Sequence, residues 1–491
     1  MNLFLSTRNK ENVVYSKEAI IQGLAKDGGL YMPTELIDIK IDLNKCLDLN
    51  YQQLATYILS NIFDDFTKEE IRECVFAAYT NSFKTDNITP VTKIGKDFLL
   101  ELYHGPTSAF KDVALTILPH LLNIAYKSYG KNKKIYILTA TSGDTGKATL
   151  EAFKDVKNTY VTVFYPKDKV SEIQEKQMNT TKGNNVDVVS VVGNFDDCQR
   201  LVKTIYEDNQ IHEIYKNVQL SSANSINVGR LIPQVVYYFK AYSDLVNNGF
   251  IKLKDKVNFI VPTGNFGDIL AGYIAKLIGC PINKLVCASN KNNVLVDFIN
   301  TGIYDINRKF YTTISPSMDI LISSNLERLL FVLSDFNDQK IKQYMNDLKT
   351  KGRYKIDKEM LNKLQQSFVG IYVSENECKK AMHQAFFQDK RLIDPHTAIG
   401  YHSSNKYRDN YKNIILATAS PFKFPTSVLS SITDTIVEDE VSAMEKLAQI
   451  SKEEIPTNLK GLDKLEILHN KTIKINEGRD YVIERIKELN D

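Results

Sequence analysis

Neither a disulfide framework nor a zinc site can be drawn from this chain. Its six cysteines, Cys46, Cys74, Cys198, Cys280, Cys287 and Cys378, are scattered without a CxxC pair. No His/Cys/Asp group has metal-ligand spacing. That usage fits a reducing compartment in which the thiols are simply buried. There is no run of about 18 apolar residues, which excludes an ordinary membrane helix. The opening MNLFLSTRNKENVVYS lacks the basic-then-apolar order of a secretory signal. Bulk charge is missing too, since 62 Lys and Arg against 59 Asp and Glu leave only +3. Such a balance gives no reason to expect nucleic acid or an anionic membrane as partner. The expectation is a cytoplasmic protein that binds any anion at a local site.

What is present is enough apolar material, 43% of 491 residues, for more than one core. Residues 1–90 read as a mainly helical domain after the first segment, with apolar spacing of helical period in YQQLATYILSNIF. After Thr89-Pro90 the pattern changes to strands alternating with helices. KKIYILTAT, TYVTVFYP, VDVVSVVG, VNFIVPTG, KLVCAS and NIILATAS read as buried strands. The alternation predicts parallel sheets covered on both faces, an α/β fold. The expected division is one α/β domain over 91–250 and a second over 251–491, the latter with a helical C-terminal part. The charged stretch from Asp335 to Lys363 reads as solvated helix faces.

Three strand-end loops lie where open α/β sheets bind ligands. TATSGDTGKA places glycines, hydroxyls and a helix start together, and PTGNFGDIL does the same without the lysine of a Walker A loop. ATASPFKFP ends a strand on Thr418 and Ser420 with no acidic residue. Taken alone, PTGNFGDIL reads as readily as structure as it does as a site, and TATSGDTGKA and ATASPFKFP read more readily as caps. Lys111, in ELYHGPTSAFKD, follows Phe110 and precedes an apolar helix. An apolar setting penalises the ammonium and favours a nucleophilic amine.

The ordered set HGPTSAFKD, TSGDTG, GNFDDCQ, GNFGD, SPSMDI, SSNLER, DPHTAIG and ATASPFKF resembles threonine synthase of the bacterial and fungal type. The likeness runs from GLAKDGGLYMP to ATASPFKFP. STRNK and NSINVGR depart from the usual family pattern.

The resemblance implies a lyase of the tryptophan-synthase β-like class (fold type II): two parallel-sheet domains with an additional mainly helical N-terminal domain. It implies pyridoxal 5'-phosphate bound as a Schiff base to Lys111, with Phe110 beside it. Gly264, Asn265, Phe266 and Gly267 would cradle the cofactor phosphate, and Thr418 would meet the ring nitrogen. Thr141, Ser142, Gly143, Asp144 and Thr145 would meet the substrate carboxylate and the cofactor's phenolic oxygen. Asp144 stands where related enzymes carry asparagine.

The implied substrate is O-phospho-L-homoserine, converted with water to L-threonine and phosphate. A second phosphate site is then required, with Asn224, Ser225, Asn227 and Arg230 as candidates and Lys291 and Ser317 behind them. His104 and His396 are secondary candidates for proton transfer, because Lys111 already fills that role. A dehydratase, a phosphate-releasing lyase and a non-catalytic metabolite sensor are the alternatives. The chain would act as a monomer or homodimer.

Overall fold

A computed structural model describes residues 2–129, 134–141, 143–206, 208, 210–211, 217–435, 437 and 439–490. Two parallel sheets dominate it. The larger runs in the order Phe368–Tyr372, Ile282–Ser289, Val257–Pro262, Lys412–Ala417, Asp97–Glu101, Val91–Ile94, all parallel except the last pair. The smaller runs Lys471–Lys474, Val186–Val192, Thr159–Pro166, Lys134–Ala140, Val218–Ser221, parallel throughout. Val257–Pro262 is buried at every position, as a parallel strand with helices on both faces must be. Its unbroken apolar sequence follows from that.

The N-terminal region combines a three-stranded antiparallel sheet, Asn9–Val14, Phe4–Ser6 and Tyr31–Pro33, with helices Tyr51–Ile62 and Lys68–Tyr79. Both helices start with capping boxes, Asn50 with Gln53 and Thr67 with Glu70. Each reciprocal pair satisfies donors that a helix start leaves open. One apolar cluster joins Leu54 and Ile58 of this region to Val235 and Tyr238, and on to Ile137 and Phe259 of the two sheets. Among the described residues no helix is long and apolar enough to cross a membrane.

The expected cut between 91–250 and 251–491 does not follow the sheets. Asp97–Glu101 lies beside Lys412–Ala417 in the larger sheet, with Phe98 opposite Ile414. The late strand Lys471–Lys474 closes an edge of the smaller sheet against Val189 to Val192. Strand pairing is decided by which apolar surface needs cover, not by closeness in sequence. DFLLE is buried at all five positions only inside the larger sheet, so the chain crosses between the two lobes more than once.

Candidate active site

The turn before Lys111 is built by its own neighbour. The Asp112 carboxylate accepts from Thr107 N at 2.8 Å and from Thr107 Oγ1 at 2.5 Å, folding His-Gly-Pro-Thr back over the helix start. Gly105 is required there, because a Cβ would lie 2.5 Å from the Asp112 side chain. Ser108 takes φ 58°, and its hydroxyl donates to Asn458 Oδ1 at 2.9 Å. The turn then zips onto the end of the strand Lys412–Ala417. Phe110 N donates to Thr418 O at 2.8 Å, Ser420 N donates to Ser108 O at 3.0 Å, and Ala109 bridges Ala419. Lys111 thus opens the helix Lys111–Leu115 directly beside Thr418. Thr418 is buried, and its hydroxyl has no hydrogen-bond partner among the described residues.

Lys111 Nζ lies 3.7 Å from Asp144 Oδ2 and 6.0 Å from the centre of the Phe110 ring. Burial, helped by Arg230 and Lys423 and opposed by Asp144, brings its amine down from 10.5 to about 8. Asp144 begins the helix Asp144–Phe153. It accepts from Gln174 Nε2 at 3.0 Å and from Ser317 Oγ at 3.3 Å, and it pairs with Lys423 Nζ at 2.7 Å. Burial would raise this carboxyl, but Lys423, Lys111 and the hydrogen bonds from Lys423 and Gln174 hold it well below the usual range. Gly143, with φ 141°, has no room for a side chain, since a Cβ would lie 2.3 Å from Gln174. Thr141 Oγ1 accepts from Gly143 N and Gly146 N, both at 2.9 Å, and shapes the loop. Thr145 is half-buried at the same helix start, and Ser142 lies outside the described residues.

The second glycine loop joins Val257–Pro262 to the helix Gly267–Leu277 through Phe266 at φ 61°. A Cβ on Gly264 would lie 2.7 Å from Ser317 O, so this loop adjoins the segment that touches Asp144. Ser317 N in turn donates to His396 Nε2 at 3.2 Å, while His396 Nδ1 meets Asp394 Oδ2 at 2.6 Å. That pattern makes His396 a holder of the Ser317 turn. Asn325 donates to Asn265 O and to Ser225 Oγ, both at 3.1 Å, and so links the cradle to the 224–230 segment.

Within that segment Asn224 and Ser225 are half-buried. Asn227 is fully buried, caps Gly229 N at 2.9 Å and donates to Ile20 O and Ser222 O. Its amide is committed to fixing the turn that presents Arg230. Arg230 is buried, donates from Nη1 to Ala223 O at 2.8 Å, and has no carboxylate partner among the described residues. Burial alone lowers its guanidinium to about 10. Lys291 stands aside, exposed, with its ammonium 4.1 Å from the Tyr311 ring centre. His104 is occupied by Glu101 at 2.8 Å. Among the described residues no cluster of His, Cys, Asp and Glu has the makings of a metal site.

Three participants escape the sequence reading: Lys423, Gln174 and Arg328. Lys423 left a trace, a lysine between two phenylalanines in SPFKFP, and it is fully buried. Arg328, also fully buried, donates to Tyr31 O at 2.8 Å and to Ile226 O at 2.5 Å, tying the N-terminal region to the Arg230 segment. It closes SSNLER, one of the motifs of the ordered set, but nothing in that motif gives it a role. Gln174 leaves no signal either.

Residues 3–79 match the family described as threonine synthase N terminus, 86–414 that described as pyridoxal-phosphate dependent enzyme, and 397–474 that described as threonine synthase, C-terminal. The chain is similar to threonine synthase-like 1 of Homo sapiens, 37% identical over 453 residues. That match covers 87% of this chain but 60% of the human protein, so this chain spans less than two thirds of that relative. It is also similar to threonine synthase of Saccharomyces cerevisiae, 36% identical over 489 residues, with 92% and 94% of the two chains covered. The pyridoxal-phosphate-bound threonine synthase of Brucella melitensis superposes with a TM-score of 0.88 at 34% identity, over 99% of each chain.

Proposed function

The chain belongs to the threonine synthase family of pyridoxal-phosphate-dependent enzymes, and on that premise we propose that it converts O-phospho-L-homoserine and water into L-threonine and phosphate. The residues fit the cofactor. Gly264 opens a loop that leads into the positive end of the Gly267–Leu277 helix, at a position with no room for a Cβ, which would lie 2.7 Å from Ser317 O. Lys111 offers an amine brought to about 8, and Thr418, a buried residue, offers a neutral hydroxyl without a hydrogen-bond partner among the described residues. Gly264, Asn265, Phe266 and Gly267 would hold the phosphate, Lys111 would anchor the group beside Phe110, and Thr418 would meet the ring nitrogen. When bound, pyridoxal phosphate supplies an electron sink for a carbanion beside the substrate's amino group.

The remaining work falls to side chains. Lys111 takes and returns protons at Cα and Cβ, for which an amine near neutrality is matched. Asp144, charged and 3.7 Å away, steadies the proton while Lys111 holds it. The substrate carboxylate is assigned to the 141–145 loop before the Asp144–Phe153 helix, whose shape Thr141 sets through its bonds from Gly143 N and Gly146 N. Asn224 and Ser225 line the phosphate end, and Asn227 positions it. Arg230 stabilises charge on the bridging oxygen as phosphate leaves Cγ.

The observation that carries a phosphorylated substrate is Arg230, a buried cation with no carboxylate to neutralise it among the described residues. A cytoplasmic setting belongs to the same proposal, supported by six buried free thiols. The test is turnover of O-phospho-L-homoserine by the purified, cofactor-loaded chain. Threonine and phosphate in equal amounts are expected. 2-Oxobutyrate in place of threonine would assign a phospho-lyase instead, and absence of turnover would refute the substrate.

A further inference from the structure

Lys423 has no part in the reading above, yet it is one of three charges in a single buried cluster. It enters from the short turn Pro421–Lys423, which follows the strand Lys412–Ala417 and, just past its end, Thr418. Its side chain is fully buried. Its ammonium lies 2.7 Å from Asp144 Oδ1 and donates to Thr107 O at 3.0 Å. The other oxygen of the same carboxylate faces Lys111 at 3.7 Å. The order is therefore cation, anion, cation, on three separate segments.

Counting charge in that cluster gives the point. With Lys423 present, Asp144 is already neutralised, so these three groups balance when Lys111 is a free amine. Without Lys423, balance would require Lys111 to be an ammonium. Burial makes this difference matter, because an unbalanced charge away from water is costly. We propose that Lys423 is a positioning residue, whose charge fixes Asp144 as a carboxylate and makes the neutral amine the balanced state of Lys111. The proposal rests on the reading of Lys111 as the reacting amine. Arg230 also acts on Lys111, and Lys423 is felt by Asp112 and Lys147, so these three charges form the background.

The test reads Lys111 directly, without turnover. The full-length, cofactor-free chain is acetylated competitively with acetic anhydride from mildly acidic to alkaline pH, and labelling of Lys111 is followed by mass spectrometry. Lys423→Gln keeps a donor near Thr107 O but removes the charge. It should move the Lys111 midpoint upward by on the order of one pH unit. Asp144→Asn should move it downward, and Asp144→Asn with Lys423→Gln should return it toward the parent value. Lys423→Arg should keep the parent midpoint.

An unchanged midpoint in Lys423→Gln, or a double variant no closer to the parent than the single, would overturn the proposal. If Lys423→Gln fails to fold, Asp144→Asn compared with the double variant isolates the same charge. A higher midpoint in the double variant is then expected, and equality refutes. Because labelling needs neither cofactor nor substrate, a wrong substrate would leave this result standing.

Discussion

Replacing Arg230 with methionine sets the fold and the site against each other. The guanidinium is buried with one hydrogen bond, to Ala223 O, and no carboxylate among the described residues. Its drop from the ordinary value to about 10 corresponds to about 3 kcal/mol against the charged form. The sign follows from linkage: the folded value lies below the unfolded one, so the penalty is full at every pH below about 10. It fades only as pH rises from there toward the unfolded value. Methionine keeps most of the aliphatic stem and removes the charge, giving up a charge-assisted hydrogen bond of about 2 kcal/mol. The variant should therefore be more stable than the parent by about 1 kcal/mol near neutral pH, in the absence of any anion.

Phosphate should reverse the order. In the cofactor-loaded chain, where the Gly264–Gly267 cradle is already filled, phosphate at a hundred times its Kd would stabilise the parent by about 2.7 kcal/mol and leave the variant unmoved. A chain of 491 residues need not unfold in one step, so the assay compares apparent urea midpoints with and without inorganic phosphate. Turnover of O-phospho-L-homoserine by the variant should fall on the order of a hundredfold. A variant less stable than the parent without phosphate, with the same phosphate response, would show that Arg230 is structural and that the anion binds elsewhere.

Lys111→Ala should abolish threonine formation, and borohydride reduction of the cofactor-loaded parent followed by peptide mapping should label Lys111. A label on another lysine would displace the assignment. Gly264→Ala should weaken cofactor uptake, because the new Cβ would lie 2.7 Å from Ser317 O and the loop must shift. The overpacking itself should cost about 1–3 kcal/mol in stability; equilibrium dialysis with pyridoxal phosphate checks the first point and thermal unfolding the second. Thr418→Asp should place a charge against the ring nitrogen and change the visible spectrum of the bound cofactor, with slower turnover. An unchanged spectrum would mean that Thr418 does not meet the ring.

Strands buried on both faces were the most legible part of the sequence. TYVTVFYP occupies the strand Thr159–Pro166 that its apolar run predicts. The strands Val91–Ile94 and Lys471–Lys474 escape the sequence reading because each is a short edge strand with exposed positions, and for Lys471–Lys474 the partner strand is also far away in sequence. The same distinction holds at the site. Lys111, Asp144 and Gly264 stand in loops whose composition announces them. Asn227 was read for its polarity as a substrate contact, whereas its burial and three hydrogen bonds hold a turn. Lys423 and Gln174 matter through a carboxylate on another segment, and no local pattern records that meeting.

The crossing of the chain between the two sheets has a consequence for biosynthesis. The ribosome delivers Val186–Val192 long before its edge partner Lys471–Lys474. Through that interval the smaller sheet presents a row of unpaired backbone groups, the kind of edge that templates wrong pairing. The larger sheet waits too, since Asp97–Glu101 needs Lys412–Ala417 beside it. Lys111 can therefore be fixed in place only after residue 417 has emerged. A nascent chain halted before that point should bind no pyridoxal phosphate, and premature termination near the C-terminus should yield aggregating rather than merely inactive protein.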